Sequence, residues 1–256
     1  MEVLFLGTGT SDGVPLIGCN CDVCLSTDER DKRTRSSVFI SLNEKKILID
    51  ASIDLRIQFL RYGIDDIDAI LLTHSHFDHI SGLNDIRPIN KKRNKKILCY
   101  ADKFVCNDIR KRFDYFFNWV QLGGGVPEID LIEIENDFLL FDKIKIELLN
   151  VMHGKINILG YRIGGFAYIT DASLIPDETY AKLKDLDVLV INALKKEKHP
   201  THFSLFQAIN EAEKIKAKKT FITHISHKLG HREIEKLCLG KEIFPAYDGL
   251  RLNLNT

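Results

Sequence analysis

A run of metal-binding side chains directly after an apolar segment is the chemically richest feature of the sequence. Residues 73–79 read THSHFDH and follow the strand-like segment Ala69–Thr73. Three histidines and an aspartate so close together cannot all be core residues, because each would need a polar partner away from water. A tight turn leaving a strand could aim His74 and His76 at one cation, and Asp78 and His79 at a second. The spacing therefore predicts a site for two metal ions.

Three later apolar segments each end in a further metal-binding side chain. His153 follows Ile144–Val151, Asp171 follows Ala167–Thr170, and His224 follows Thr220–Thr223. Alone, each would be interpreted as a capping or hydrogen-bonded polar residue. Their recurrence downstream of the histidine run favours ligands, since the ends of strands are where α/β folds build sites.

A cysteine cluster near the N-terminus predicts another metal site. Cys19, Cys21 and Cys24 give three thiolates in a glycine-bounded loop, one ligand short of a closed tetrahedral zinc site. His227 is the predicted fourth ligand, because it lies three residues after His224 and can point away from the other site. The alternative is that the thiols are reactive or buried and that His227 is in solvent.

The elements that must position these residues are short strands interspersed with helices. We predict one α/β domain over residues 1–256. Ser204 is the expected N-cap of the fourth helix. The predicted strands are Val3–Leu6, Ser37–Leu42, Lys46–Asp50, Ala69–Thr73, Ile97–Tyr100, Ile144–Val151, Gly160–Ile163, Ala167–Thr170, Val188–Asn192, Thr220–Thr223 and Leu250–Leu254. The predicted helices are Asp54–Tyr62, Asp102–Phe113, Asp177–Leu183, Leu205–Ile215 and Arg232–Leu239.

Composition argues against polynucleotide and membrane partners. Lys plus Arg and Asp plus Glu both total 36, so no net charge favours a polyanion. The basic run at residues 91–96 lacks interleaved aromatic residues and is predicted to be a solvated loop. The N-terminus resembles no signal peptide and no apolar run could span a bilayer, so we expect a cytoplasmic protein.

The remaining cysteines and the aromatic segment are expected to be structural. Cys99, Cys106 and Cys238 are scattered, which favours small buried hydrophobic residues. Core packing is the expected use of the aromatic segment Phe113–Trp119, although pocket lining and a homodimer interface remain open.

The chain contains HxHxDH first, then His, Asp and His. This order of motifs resembles that of the metallo-β-lactamase superfamily. This resemblance implies an αββα sandwich of two mixed β-sheets flanked by helices, with a binuclear centre. It also implies that Asp50 braces the metal loop. Carried over by position, the first ion would be held by His74, His76 and His153, the second by Asp78, His79 and His224, and both by a bridging Asp171.

A closer resemblance is to PhnP-type enzymes, phosphodiesterases that act on phosphoribosyl 1,2-cyclic phosphate. It is carried by LGTGTSDGVPLIGCNCDVC at residues 6–24, RTRSS at 33–37, DASIDLR at 50–56, LNDIRP at 83–88, THFS at 201–204 and YDGL at 247–250. Ile53 departs from an expected proline. The resemblance implies a structural Zn²⁺ held by Cys19, Cys21, Cys24 and His227.

The expected reaction is hydrolysis of a small phosphodiester, by attack of hydroxide held between two Zn²⁺ or Mn²⁺ ions. His202 is the candidate that protonates the departing alkoxide, and Asp78 and Asp171 complete the catalytic set. Arg87 and His202 are the candidate substrate-binding residues, because a guanidinium can clamp a phosphate bidentately. His199 and His231 are expected at the surface.

Three other functions share parts of this pattern. A nuclease that processes tRNA 3′ ends has the same metal motif, but it would need a basic arm on which the tRNA docks. A thioester or lactone hydrolase would make Arg87 and His202 incidental. A non-catalytic, zinc-stapled binding protein would not need all seven catalytic ligands.

Overall fold

Two β-sheets form the centre of the protein, which we describe from a computed structural model covering residues 1–118 and 125–255. The strands are β1 Glu2–Gly7, β2 Ser37–Leu42, β3 Lys45–Ile49, β4 Ala69–Leu71, β5 Ile97–Ala101, β6 Ile129–Glu133, β7 Phe138–Leu140, β8 Ile144–His153, β9 Ile156–Ile163, β10 Phe166–Ile169, β11 Val188–Asn192, β12 Lys219–Thr223, β13 Ile243–Pro245 and β14 Arg251–Asn253.

Both sheets are mixed, as the sequence predicted. The first has the order β14-β1-β2-β3-β4-β5-β6, antiparallel up to β3 and parallel from β3 to β6. The second has the order β13-β12-β11-β10-β9-β8-β7, parallel from β10 to β13 and antiparallel elsewhere. Apolar side chains of both sheets, such as Phe5, Ile40, Tyr161 and Val190, form one buried layer between them.

Helices cover the outer face of each sheet and complete the predicted αββα sandwich. The apolar faces of α2 and α5 pack on the first sheet, and those of α8 and α9 pack on the second. The helices are α1 Asp22–Leu25, α2 Leu55–Tyr62, α3 Phe77–Ile80, α4 Arg87–Arg93, α5 Lys103–Arg112, α6 Asp114–Phe117, α7 Asp177–Tyr180, α8 Leu205–Ile215 and α9 His231–Leu237, with 3₁₀ turns at Glu29–Asp31, Ser81–Ile86 and Ala181–Leu183.

The parallel halves of the sheets bring chemically active residues to one edge. The carboxyl ends of parallel strands meet at the same edge of a sheet, and here β3, β4, β10 and β12 lead into the loops that carry the candidate ligands. Two contacts join the sheets at that edge. The N–H of Leu159 donates to the carbonyl of Thr73 at 3.0 Å, and the hydroxyl of Tyr161 donates to the carbonyl of Leu72 at 2.5 Å.

Most predicted elements are present, with shifts of a few residues at their ends. Ser204 caps α8 as predicted: its hydroxyl accepts from the N–H of Gln207, whose side chain accepts from the N–H of Ser204. Cys99, Cys106 and Cys238 are buried, as expected. So are Phe113 and Phe116 of the aromatic segment, whereas Trp119 lies outside the described residues.

One prediction about the chain is wrong. The basic run at residues 91–96 is not simply a loop, because its first three residues form the last turn of α4. Pro88 suits the first turn of a helix, where no backbone donor is needed, and Asn94 ends the helix in the left-handed conformation. Among the described residues, no helix is both long and apolar enough to cross a membrane.

Candidate metal centre

The loop that carries the histidine run is held by a buried aspartate at the end of β3. Asp50 accepts hydrogen bonds from the N–H of Thr73 at 2.8 Å and from the Thr73 hydroxyl at 2.9 Å. Its backbone is left-handed, with φ of 61°, which turns the carboxylate from the end of the strand toward the loop. Residues other than glycine are uncommon in this region of backbone conformation, and they occur in turns and at functional sites. Asp50 therefore braces the loop, as the family resemblance implied.

The predicted ligands gather into adjoining groups at this edge. In each group, one possible ligand atom of each residue lies within 4.8 Å of the others. The groups that contain only predicted catalytic ligands are His74, His76 and His153; Asp78, His79 and His224; and His74, His79 and Asp171. The first two are the two ligand sets carried over from the superfamily. Residues as distant in sequence as His74 and His224 thus share one site.

Hydrogen bonds fix the orientation of four of the histidine rings. In each ring, Nδ1 faces an oxygen that accepts from it, so Nε2 is the nitrogen free to bind a cation. The two hydroxyls among these oxygens give their own hydrogens to other groups and must therefore accept from the ring. The acceptors are Thr73 Oγ1 for His74 at 2.9 Å, Asp50 Oδ2 for His79 at 2.7 Å, the Asp171 carbonyl for His153 at 2.6 Å and Ser36 Oγ for His224 at 3.3 Å.

Two of the free nitrogens make no hydrogen bond to the described residues, although carboxylate oxygens of Asp78 and Asp171 lie 3.2 Å and 3.4 Å from Nε2 of His79. Nε2 of His74 and Nε2 of His79 are both buried without a hydrogen bond. Buried polar atoms are otherwise almost always paired. Burial also lowers the pKa of His74 well below its usual value, so its ring is neutral and can donate a lone pair. The donor set therefore fits a divalent cation.

Asp171 lies between the two ligand groups, because it can share a cation with His74 of the first group and His79 of the second. Its Oδ1 is 3.2 Å from Nε2 of His224, and its Oδ2 is 3.4 Å from Nε2 of His79. Although burial raises the pKa of Asp171, the neighbouring rings of His224 and His79 hold it well below its usual value, so the group is a carboxylate. Like that of Asp50, the backbone of Asp171 is in the left-handed conformation, with φ of 58°. The backbone of His224 is also left-handed, with φ of 53°. Asp50 and His224 directly follow strands β3 and β12, and Asp171 comes two residues after the end of β10.

His202 also reaches the site. Its Nε2 is 3.1 Å from Oδ1 of Asp171, and its ring stacks on that of His224 with centroids 5.1 Å apart. Within the loop that precedes α8, it is the residue that faces the ligand groups, and it could itself join Asp171 and His153 around a cation.

The structure does not bring Arg87 to this cluster. Arg87 is exposed at the start of α4, and its guanidinium donates to the carbonyl of Gly125 at 3.3 Å. It lines a cavity of about 600 Å³ together with Arg56 of α2, and none of the candidate ligands lines that cavity. Binding of substrate by Arg87 stays a prediction.

The cysteine loop meets the loop after β12, as predicted. Ligand atoms of Cys19, Cys21, Cys24 and His227 lie within 4.8 Å of one another. Nδ1 of His227 is 3.3 Å from Sγ of Cys19 and 3.5 Å from Sγ of Cys21. Hydrogen bonds from the backbone at Cys24 and from His227 lower the pKa of Cys21, which favours the metal-binding thiolate.

The positions of three residues, two at the site and one in the nearby core, carried no clear signal in the sequence. Ser36, which orients His224, is one of several serines in a polar stretch. His199 was expected at the surface, but its Nδ1 is 3.2 Å from Nδ1 of His202. The prediction that His231 is at the surface is wrong: its ring is buried, with Nδ1 3.3 Å from a guanidinium nitrogen of the buried Arg33. His199 and His231 each stand next to a basic residue in the sequence, and this pattern does not distinguish a buried or site histidine from a surface one.

Comparisons with curated proteins and family models identify relatives of the chain. The family model described as beta-lactamase superfamily domain matches residues 45–225. The chain is 41% identical over 254 residues to an octanoyltransferase from Porphyromonas gingivalis, covering 98% of this chain and 51% of that protein. It is 35% identical over 101 residues to coenzyme PQQ synthesis protein B from Methylobacterium nodulans, covering 34% of each. The chain thus spans about half the length of the first relative and about a third of the second.

Similar solved structures share the whole fold. The crystal structure of a new diphosphatase from the PhnP family has a TM-score of 0.92 and 40% identity, covering 99% of this chain and 98% of that chain. Zinc-bound PqqB from Methylobacterium extorquens has a TM-score of 0.81 at 21% identity, covering 99% of this chain and 100% of its own. The short form of human tRNase Z has a TM-score of 0.71 at 20% identity, covering 100% of both chains. The last two similarities establish the fold alone.

Proposed function

This chain belongs to the PhnP family of the metallo-β-lactamase superfamily, which confirms the resemblance inferred from sequence, and we propose that it is a binuclear metal-dependent phosphodiesterase. Its substrate would be a small, ribose-like cyclic phosphodiester. The observation that carries the proposal is the position of His202, with Nε2 3.1 Å from Oδ1 of Asp171. A histidine beyond the seven predicted ligands is what an alkoxide leaving group needs as its proton donor.

The candidate ligands divide into two sets around Asp171. His74, His76 and His153 would hold one ion, and Asp78, His79 and His224 would hold the other. Histidine nitrogens and carboxylate oxygens suit Zn²⁺ or Mn²⁺. When bound, two such ions activate a water molecule as nucleophile and neutralise phosphoryl oxygens.

The protein's own groups then have separate tasks. Asp171 would hold the two ligand sets together, because its carboxylate lies within reach of His74 of the first set and His79 of the second. Asp50 and Ser36 hold the rings of His79 and His224 in the orientation that presents Nε2. His202 delivers a proton to the departing oxygen. Phe77, which is 60% exposed beside the metal loop, offers an apolar surface to a substrate ring.

The cluster of Cys19, Cys21, Cys24 and His227 would hold a structural Zn²⁺. Three thiolates and one imidazole form a closed tetrahedral set that leaves no position for substrate. His227 follows His224 in the same loop, and the N–H of Ile225 donates to the carbonyl of Thr8 at 2.9 Å. The ion would therefore staple the N-terminal loop to the segment that carries His224.

We expect Cys21→Ser to lower the melting temperature markedly and to remove one Zn²⁺ per chain, because metal binding to such a site contributes directly to folding free energy. Metal analysis and thermal unfolding of the same samples would check this. Cys238→Ala, at a buried cysteine outside the cluster, is the control for zinc content. A Cys21→Ser protein with the parent's melting temperature and zinc content would rule the site out.

A second candidate, cleavage of a diphosphate bond, is favoured by the diphosphatase that is 40% identical over almost the whole chain. A departing phosphate is a good leaving group, so this reaction would depend little on His202. The octanoyltransferase relative raises a third possibility, a thioester substrate. Because this chain spans only 51% of that protein, the octanoyltransferase activity belongs to a molecule about twice as long.

A substrate panel distinguishes these candidates. The protein would be assayed with and without added Mn²⁺ or Zn²⁺ against bis-p-nitrophenyl phosphate, a 1,2-cyclic ribose phosphate, a diphosphate, an octanoyl thioester, a lactone and a pre-tRNA. We expect metal-dependent hydrolysis of the two phosphodiesters to exceed the other activities. Hydrolysis confined to the thioester or lactone would refute phosphoryl transfer, and preference for the diphosphate would select the second candidate.

A further inference from the structure

The loop between β11 and α8 is fixed against a predicted metal ligand. The carbonyl of Thr201 accepts from Nδ1 of His153 at 2.8 Å. Gly154, with φ of 63°, lies so close that a Cβ there would be 2.9 Å from Cγ2 of Thr201. This close approach leaves the loop little freedom, so the histidines it carries are held in place relative to the site.

His199 contacts the ring of His202 in this loop. Their Nδ1 atoms are 3.2 Å apart, and the backbone N–H of Thr201 points at Nδ1 of His199 from 3.4 Å. A backbone N–H can only donate, so Nδ1 of His199 is the bare nitrogen of a neutral ring whose hydrogen is on Nε2. Burial, reinforced by the charge of His202, also lowers the pKa of His199, which keeps the ring neutral.

An acceptor at this position dictates the arrangement of the His202 ring. Two bare ring nitrogens 3.2 Å apart would repel each other, so this contact favours a hydrogen on Nδ1 of His202. That hydrogen is donated either to His199 directly or to the Thr201 hydroxyl, which lies 2.9 Å from Nδ1 of His202 and 3.2 Å from Nδ1 of His199. In both arrangements the chain of hydrogen bonds ends at Nδ1 of His199, which accepts the last one. Nε2 of His202 is then the nitrogen that faces Asp171 and the reacting centre.

We propose that His199 is a positioning residue: its Nδ1 accepts the Nδ1–H of His202 and so holds His202 with Nε2 directed at the leaving group. The inference rests on the proposed role of His202 as proton donor. His199 itself touches neither substrate nor metal in this account. It acts as the oriented acceptor behind the donor, a task usually performed by a carboxylate or a carbonyl.

Kinetics of His199 variants test the proposal. On an alkyl-leaving phosphodiester, His199→Ala should lower kcat by about 10- to 100-fold with little change in KM, as is typical when an orienting partner is removed. His199→Asn should restore most of the rate, because its Oδ1 can accept at nearly the same position. Lys198→Ala, at the exposed neighbour, is the matched control and should be unchanged. On a substrate with a p-nitrophenyl leaving group, the rate differences between these variants and the parent should all be smaller.

The Thr201 hydroxyl could partly replace the missing acceptor, so the double variant His199→Ala, Thr201→Val should lose more than His199→Ala. Thr201→Val keeps the backbone carbonyl that binds His153. A His199→Ala rate within about twofold of the parent, or equal losses in His199→Ala and His199→Asn, would overturn the proposal.

Nitrogen-15 NMR of the imidazole rings in the metal-loaded protein tests the geometry without any substrate. We expect a hydrogen on Nδ1 of His202 and none on Nδ1 of His199. A bare Nδ1 on His202 overturns the inference whatever the kinetics. If the expected pattern is seen in a protein that hydrolyses no phosphodiester, the contact stands and the proposed function fails.

Discussion

Asp171→Ala is expected to lose the metal ions of the binuclear site and to reduce phosphodiester turnover by at least about 10²–10³-fold, the usual consequence of removing one preorganised charge-stabilising group. The reason lies in its position between the ligand sets, because Asp171 groups with His74 of the first set and His79 of the second. Without the carboxylate, nothing in this geometry would hold two cations close together against their mutual repulsion.

Two further variants make the result interpretable. Because Asp171 is left-handed, alanine adds backbone strain, whereas asparagine tolerates that conformation and removes only the charge. Asp171→Asn should therefore fold like the parent but still lose metal and activity. Asp177→Ala, at an exposed aspartate at the start of α7, is the control. If Asp171→Asn keeps both metal ions and the turnover of the parent, the bridging role is ruled out.

His202→Ala should reduce the rate on an alkyl-leaving phosphodiester by roughly 10²–10⁴-fold, the typical contribution of a general acid. A p-nitrophenyl leaving group needs little protonation, so the loss on that substrate should be far smaller. The metal content should stay at the parent value, because the seven proposed ligands are untouched.

The pattern of losses identifies what His202 does. Equal losses on both leaving groups would indicate positioning or metal binding, which the proximity of His202 to Asp171 and His153 makes physically reasonable. A loss confined to thioester or lactone substrates would contradict a phosphodiester reaction. Steady-state kinetics on matched substrates, with metal content measured on each preparation, separate these cases.

The grouping of the candidate metal ligands could be anticipated from sequence because it depends on local features. The histidine run at residues 73–79 spans the loop after β4 and the start of α3, and His153, Asp171 and His224 lie at or just beyond the ends of apolar strands. Parallel strands bring such ends to a common edge, so the alternation of strands and polar termini was sufficient. The same logic placed His227 near the cysteines, since it lies just beyond the end of β12.

The orientation of those ligands could not be anticipated, because it depends on contacts between distant residues. Ser36 fixes the ring of His224 from 188 positions away. The left-handed backbone at Asp50, Asp171 and His224 is permitted by the surrounding fold, and no propensity of aspartate or histidine predicts it at these positions. His199 was overlooked for the same reason: only the folded loop brings its ring against His202.

The strands absent from the prediction are short or lie at sheet edges. β7 and β13 have three residues each and form the ends of the second sheet, where Pro245 is tolerated because an edge strand leaves backbone donors unpaired. β6 ends the first sheet and carries Asp130 and Glu133, whose charges weaken the apolar pattern. Such strands are defined by their neighbours more than by their own residues.

Metal titration of activity tests the central claim most directly. Protein stripped of the ions at the histidine site, but retaining one Zn²⁺ at the cysteine site, would be titrated with Mn²⁺ while hydrolysis of a 1,2-cyclic ribose phosphate is followed. We predict that the rate rises to a plateau at two equivalents of Mn²⁺ per chain. A plateau at one equivalent would contradict the binuclear site, and no hydrolysis at any stoichiometry would contradict the phosphodiesterase.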